Sequence, residues 1–350
     1  MSTYFIHNRF DGCNYYRCIL PQRELGWKGD RMTLGDERVS PEVSANNSIS
    51  ADNVIFQRPD DDSRLTVAWR LKQLGKKIIF ENDDTYKNND QMKFKGQLEK
   101  RIETLDDFIR ISDLVITTTE FLADEYKQIN KNVVVCPNAV EPLDWPIPKR
   151  NESDVCRIGI VGSVAMNYDF EPIRELLQDL GKRKDIQLVL FSLPPKAEDK
   201  KTDDIVKGFY VDEFAFWKTI NVEWVPFVPM EEYFETLNNL KLDIMLIPRE
   251  DSYFNRCKSN CKFLEASMLE IPVIAQGFPD EKSPYQVSKN DKDYMFIANT
   301  KEDWKEMTEK LIESKELRED MGEKAHKYVL ENYHIKKLAP LWRDAINKLS

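Results

Sequence analysis

The chain is 350 residues long, carries a formal net charge of −10, and is 41% hydrophobic and 11% aromatic. That length suits about two domains, each with a core of its own. The acidic balance argues against broad electrostatic attachment to nucleic acid or an anionic membrane, while leaving room for a local basic groove. No apolar run approaches the roughly 18 residues that would span a bilayer. The chain enters an apolar stretch, Thr3 to His7, without a basic n-region and apolar h-region, so the sequence predicts no secretory signal and a cytoplasmic protein. The six cysteines fall in no zinc spacing and only three histidines are present, so no Cys/His metal site is expected.

In chain order, the first segment alternates strand and helix patterns. TYFIH precedes a helix near Tyr15 to Leu25. NVIFQ at 53–57 precedes a helix near Ser63 to Leu74 that Gly75 closes, and KIIFE at 77–81 follows. A long helix near Gln91 to Ile111, the strand DLVITTT, a helix from about Glu120 to Ile129 and the strand NVVVC complete this part. Short apolar strands separated by helices of this length predict a parallel sheet covered on both faces, a doubly wound α/β domain over residues 1–141. Pro142, Pro146 and Pro148 crowd a polar stretch that reads as a linker over residues 142–154.

The pattern restarts with CRIGIVGS and runs through IQLVLF, NVEWV, LDIMLI, PVIA and YMFIA, predicting a second doubly wound domain over residues 155–335. The charged stretch Pro194 to Lys207 reads as an exposed loop. A capping pattern at Thr300 and Asp303 opens the terminal helices. The last of them, residues 336–350, carries an apolar stripe of Leu338, Leu341, Trp342, Ala345 and Leu349.

Chemistry is sought after the strands, because doubly wound sheets bind ligands at the carboxyl ends of their strands. After the first strand, in HNRFDGCNYYRCILP, Gly12 lets the backbone approach a ligand, and Asn14, Tyr15 and Arg17 fall at the next helix start. His7 at the strand end is suited to bonding a sugar hydroxyl and equally to an internal partner. Asn82, Asp83 and Asp84 follow KIIFE; ligand binding or loop capping, a metal site and a general base are the readings, and Asp after a strand is common turn chemistry. Gly162 and Ser163 end the first strand of the second domain, and Arg249 follows LDIMLI.

The densest set lies between Ile247 and Gln276. The sequence predicts a loop, a helix from about Ser259 to Leu269 packed through Cys261, Leu264, Met268 and Ile271, and a strand. Lys258, Lys262 and Glu265 share the neighbouring flank. A helix start with unpaired N–H groups, two lysines, Ser259 and Asn260 makes an anion site that suits a diphosphate. An ordinary solvated Lys–Glu flank has the same spacing.

KSNCKFLEASMLEIPVIA resembles the donor-site signature of the retaining glycosyltransferases of family 4, which have the GT-B fold; EIPV stands where that family has GxPV. GCNYYR resembles its acceptor-side loop, and PNAVEP, with Asn138, resembles the PNGVD loop that ends its first domain. Of the family's two glutamates eight positions apart, Glu265 matches the second, while the first is replaced by Cys257. The resemblance implies two Rossmann-like domains facing across a cleft and a terminal helix returning to the first domain. It implies a metal-independent, cofactor-free transfer from a UDP- or GDP-sugar to a glycan or cell-surface precursor, or to a modified base in DNA. Donor contacts would be Gly162, Ser163, Lys258, Ser259, Asn260, Lys262 and Glu265. Gly12, Asn14, Tyr15, Arg17, Asn82, Asp84 and Asn138 would lie on the acceptor side, with His7, Asp83 and Arg249 the candidates for catalysis. A silent nucleotide-sugar-binding module and a nucleotide-sugar epimerase are the rival readings.

Overall fold

A computed structural model of the chain describes residues 2–7, 11–31, 39–59, 61–85, 95–162, 164–191, 216–286 and 293–349. The chain divides into two compact units, one of Met1–Pro142, Ser252–Asn260 and Leu330–Ser350, the other of Leu143–Asp251 and Cys261–Val329.

The first unit is built on β1 (Thr3–Ile6), β2 (Lys28–Gly29), β3 (Asn53–Gln57), β4 (Lys77–Glu81), β5 (Leu114–Thr117) and β6 (Val133–Val135), in the order β2-β1-β3-β4-β5-β6. Every neighbouring pair is parallel. The apolar runs VIF, IIF and LVI explain this, since only a sheet covered on both faces buries consecutive side chains. Val54, Phe56, Ile78 and Phe80 feed one core with Phe108 of the helix Lys95–Ile111. Ile55 and Ile79 point the other way, to a second core with Phe5 and Trp342. Trp342 lies on the terminal helix Ile335–Asn347, so that helix belongs to the first unit. Its buried stripe is Ile335, Ala339, Trp342, Ala345 and Ile346, whereas Leu341 of the expected stripe is 42% exposed. Steps of four, three and four residues put position 341 on the outer face.

The second unit repeats the plan with β7 (Cys156–Val161), β8 (Ile186–Phe191), β9 (Val222–Val225), β10 (Ile244–Ile247), β11 (Val273–Gln276) and β12 (Phe296–Ala298), ordered β12-β11-β10-β7-β8-β9 and parallel throughout. Its core gathers Ile158, Ile160, Leu188, Leu246 and the fully buried Trp217 and Trp304. In each unit the chain leaves a central strand in both directions. The strand order reverses between β1 and β3 in the first and between β7 and β10 in the second, and such reversals open a crevice at the carboxyl ends.

Three expectations need correction or limits. Where a loop and one helix from Ser259 are predicted, the chain makes two helices, Tyr253–Cys257 and Cys261–Met268. Ser252 caps the first by accepting from the Asn255 N–H, chemistry that the SYFN spelling carries. Lys258 ends it with extended backbone (φ −63°, ψ 154°), so it does not share a helix flank with Lys262 and Glu265. Pro194 to Lys207 lies outside the described residues. The Thr300–Asp303 capping box forms as the spelling predicts.

The helix Lys315–Tyr333 crosses the turn after Cys261–Met268 at Gly322, where a β-carbon would collide with the Glu270 carbonyl. Glu270 sits at a left-handed φ of 55°, and Arg150 binds both its carbonyl and its carboxylate, so this backbone has little freedom to retreat. Gly322→Ala is therefore expected to destabilise by about 1–3 kcal/mol despite alanine's better helix propensity. Thermal unfolding checks this; an unchanged or raised midpoint would show that the turn yields.

Candidate functional site

The second unit's site grows from the turn that leaves β7. The Gly162 N–H donates to the Phe191 carbonyl at 3.2 Å, keeping the turn against the end of β8. Ser163 lies outside the described residues. The ring of Tyr233, on the helix Met230–Asn239, stacks on Phe191 with centroids 5.3 Å apart and planes at 16°. Its hydroxyl accepts from Lys262 Nζ at 2.8 Å and donates to Glu265 Oε2 at 2.7 Å, while Lys262 and Glu265 pair at 2.6 Å. The Lys262 side chain is 20% exposed and that of Glu265 5%, so this is no solvated flank. Burial alone would lower the Lys262 pKa, but Glu265 and Tyr233 outweigh it and hold the ammonium above a free lysine's value.

Arg249 follows β10 across the strand-order reversal. Its guanidinium donates to Asp169 Oδ2 at 2.6 Å, and Asp169 also accepts from the Glu250 N–H at 3.0 Å. The arginine side chain is 9% exposed, and its Nε has no hydrogen-bond partner among the described residues. Desolvation works against the cation here, and Tyr285 and Asp169 overcome it, so the group stays charged.

In the first unit, Arg58 leaves β3 with a left-handed φ of 45°, strained for a long side chain. It approaches Asp83 at 3.4 Å and Asp84 at 3.6 Å, and donates to Cys13 Sγ at 3.1 Å. Burial pushes the Cys13 thiol well above its ordinary value, and Asp83 adds to this, so Cys13 is no thiolate nucleophile. Burial also works against the charge on Asp83; Arg58 and a bond from Cys13 outweigh it and lower its pKa. Lys258 Nζ bonds Asp84 at 2.7 Å and stands 4.0 Å over the Phe254 ring. Both carboxylates thus answer to protein cations.

Beneath them, Arg17 and Glu81 form a fully buried pair at 2.6 Å. Arg17 also donates to the Cys136 carbonyl (2.6 Å) and to Asn138 Oδ1 (3.1 Å), and lies 4.7 Å over Trp342. Asn138 passes the connection on, donating to Ser259 Oγ at 2.9 Å. Asn260 donates to the Tyr333 hydroxyl at 3.2 Å. Lys258, Ser259 and Asn260 therefore belong with first-unit partners rather than with Lys262 and Glu265.

The remaining predicted residues are placed as follows. Asp11 caps the helix that Gly12 opens, accepting from the Asn14 N–H. Both His7 ring nitrogens face partners, Asn14 and Gln22, at 3.0 Å. Tyr15 lies fully buried in a π-helical turn, Tyr15–Ile19. Asn82 caps its own loop, donating to the Asp84 carbonyl and the Tyr126 hydroxyl. Cys257 is a core residue of the first unit, with no exposed surface.

Sequence reading missed Tyr233, Asp169, Arg58 and Glu81. Glu81 and Arg58 had a signal, as charged residues at and just past the ends of buried strands. Tyr233 and Asp169 had none, since each meets its partner only through the tertiary fold.

No family model matches the chain, and no curated protein matches it either. Solved structures do. Sucrose-phosphate synthase from Thermosynechococcus elongatus superposes with a TM-score of 0.67 at 12% identity, over 100% of this chain and 99% of that one. HepE of Anabaena, solved with UDP-glucose, gives 0.68 at 9% identity over 99% and 100%. A glycosyltransferase of Rickettsia africae gives 0.62 at 11% over 99% and 98%. At such identities the likeness establishes the fold: two Rossmann-like units, as in GT-B glycosyltransferases.

Burial pushes Glu81 up to about 7, with Arg17 opposing the shift. The folded protein then holds a proton that the unfolded chain releases near 4.5, so this contribution to stability falls as pH rises from about 5 to 7. Glu81→Gln should abolish that decline in urea unfolding. Above pH 7, where Glu81 is ionised in the folded protein, it should also cost roughly 3 kcal/mol by leaving the Arg17 charge buried without its counter-ion. A variant as stable as wild type, with the same pH slope, contradicts the assignment.

Proposed function

We propose that this protein transfers a sugar from a nucleoside-diphosphate sugar to an acceptor hydroxyl or base, with retention and without a metal. The observation that carries this reading is the buried Lys262–Glu265–Tyr233 cluster beside the Gly162 turn, in a chain 99% of which superposes on HepE solved with UDP-glucose. Lys262, near the positive end of the helix Cys261–Met268, and Arg249 are suited to the charge that develops on a leaving diphosphate. Glu265 is suited to a ribose hydroxyl, as its match to the second glutamate of family 4 implies.

The acceptor side, in this reading, is the carboxyl end of the first sheet. Asp83 and Asp84 are held by Arg58 and Lys258, which supports hydrogen bonding to acceptor groups over metal binding there. Retention follows from the family resemblance, and attack on the same face of the sugar needs no protein nucleophile.

A binding module without turnover is the second reading, favoured by Cys257, whose thiol is sealed in the first unit's core where family 4 has its first glutamate. Donor hydrolysis or transfer separates the two.

The test is thermal unfolding against UDP, GDP and their sugars. A nucleotide at about a hundred times its dissociation constant adds roughly 2.7 kcal/mol and should raise the midpoint by several degrees. Lys262→Ala should cancel that rise; because it leaves the buried Glu265 without its cation it should also lower the ligand-free midpoint, so the rise is read against the variant's own ligand-free midpoint. A midpoint that no nucleotide moves contradicts the proposal.

A further inference from the structure

Tyr233 is the one member of the Lys262 cluster whose chemistry the proposed transfer does not yet use. Its ring is held flat on Phe191, the last residue of β8, so the hydroxyl's position is set by the sheet. Burial, then Glu265, raise its pKa, so at neutral pH it is a phenol with one proton to give. That proton goes to Glu265 Oε2, and the oxygen's lone pair receives a proton of Lys262.

An ammonium has three N–H groups. Two of those of Lys262 point to Tyr233 and Glu265, and no described residue accepts the third. A lysine on a helix otherwise samples many rotamers, which cost up to about 2 kcal/mol of entropy to freeze. The phenol and the carboxylate freeze them before any ligand arrives. Glu265 also cancels the charge of Lys262, so the pair recognises an anion by the direction of its N–H rather than by net charge.

We propose that Tyr233 is a positioning residue: it fixes the Lys262 ammonium so that the third N–H is available to a phosphate oxygen of a nucleoside diphosphate. The inference rests on the donor-site reading above. A hydroxyl that merely satisfied a buried carboxylate would affect folding, or all ligands alike. A positioning hydroxyl affects only ligands that carry the phosphates.

Calorimetric titration of wild type, Tyr233→Phe and Lys262→Ala with UDP and with uridine tests this, with GDP and guanosine in their place if UDP does not bind. Phenylalanine keeps the stacked ring and removes only the hydroxyl. Loss of one hydrogen bond's worth of positioning should weaken UDP binding by about 3- to 10-fold. Uridine binding should stay within about twofold and the ligand-free melting midpoint within a few degrees. Lys262→Ala should weaken UDP further, and UDP more than uridine, whose ribose partner Glu265 loses its paired cation. Unaltered UDP affinity in Tyr233→Phe, or equal losses for UDP and uridine, overturns the positioning role while leaving the donor site standing. Failure of wild type to bind either nucleotide overturns the donor-site reading itself.

Discussion

A parallel sheet sends every strand out at the same edge, and in this protein that constraint decides where the chemistry lies. The strand middles are apolar, and the buried polar side chains of the strands sit at their ends, as Thr3, Asn53, Gln57, Glu81, Thr117 and Gln276 do. Charged residues near the interior gather where the strands stop, at Glu81, Arg58 and Arg249, with the Gly162 turn at the end of β7. The strand order reverses beside them in each unit, the place where doubly wound sheets generally bind ligands.

Charge at such an edge is poorly hydrated, and an isolated buried ion would cost several kcal/mol. The protein answers by matching each cation to a carboxylate: Arg17 with Glu81, Arg58 with Asp83, Lys258 with Asp84, Arg249 with Asp169, Lys262 with Glu265. These sites carry directed donors more than net positive charge. That suits a ligand recognised by geometry, such as a diphosphate presented by a bound nucleotide, and it fits a chain whose overall charge is negative.

Most of the fold was legible because it rests on two local signals. Runs such as KIIFE and CRIGIV read as buried strands, and TKED reads as a helix cap. The boundary near Lys258 was misread because a capping serine and five residues make a helix too short for periodicity to show. In the site, Lys262 and Glu265 were legible from spacing and resemblance. Tyr233 and Asp169 were not, since their partners lie 29 to 32 and 80 residues away along the chain. Leu341 shows the opposite error, an apolar residue counted into a stripe whose register only packing fixes.

The proposed function places the diphosphate of a nucleotide at the carboxyl end of the second sheet. A crystal structure of the protein soaked with the nucleotide that stabilises it most would test that claim most directly. Phosphate oxygens are expected within hydrogen-bond reach of Lys262 and the Gly162 turn, with Tyr233 still bonded to Glu265. Phosphates bound elsewhere, or against the first sheet alone, would contradict it.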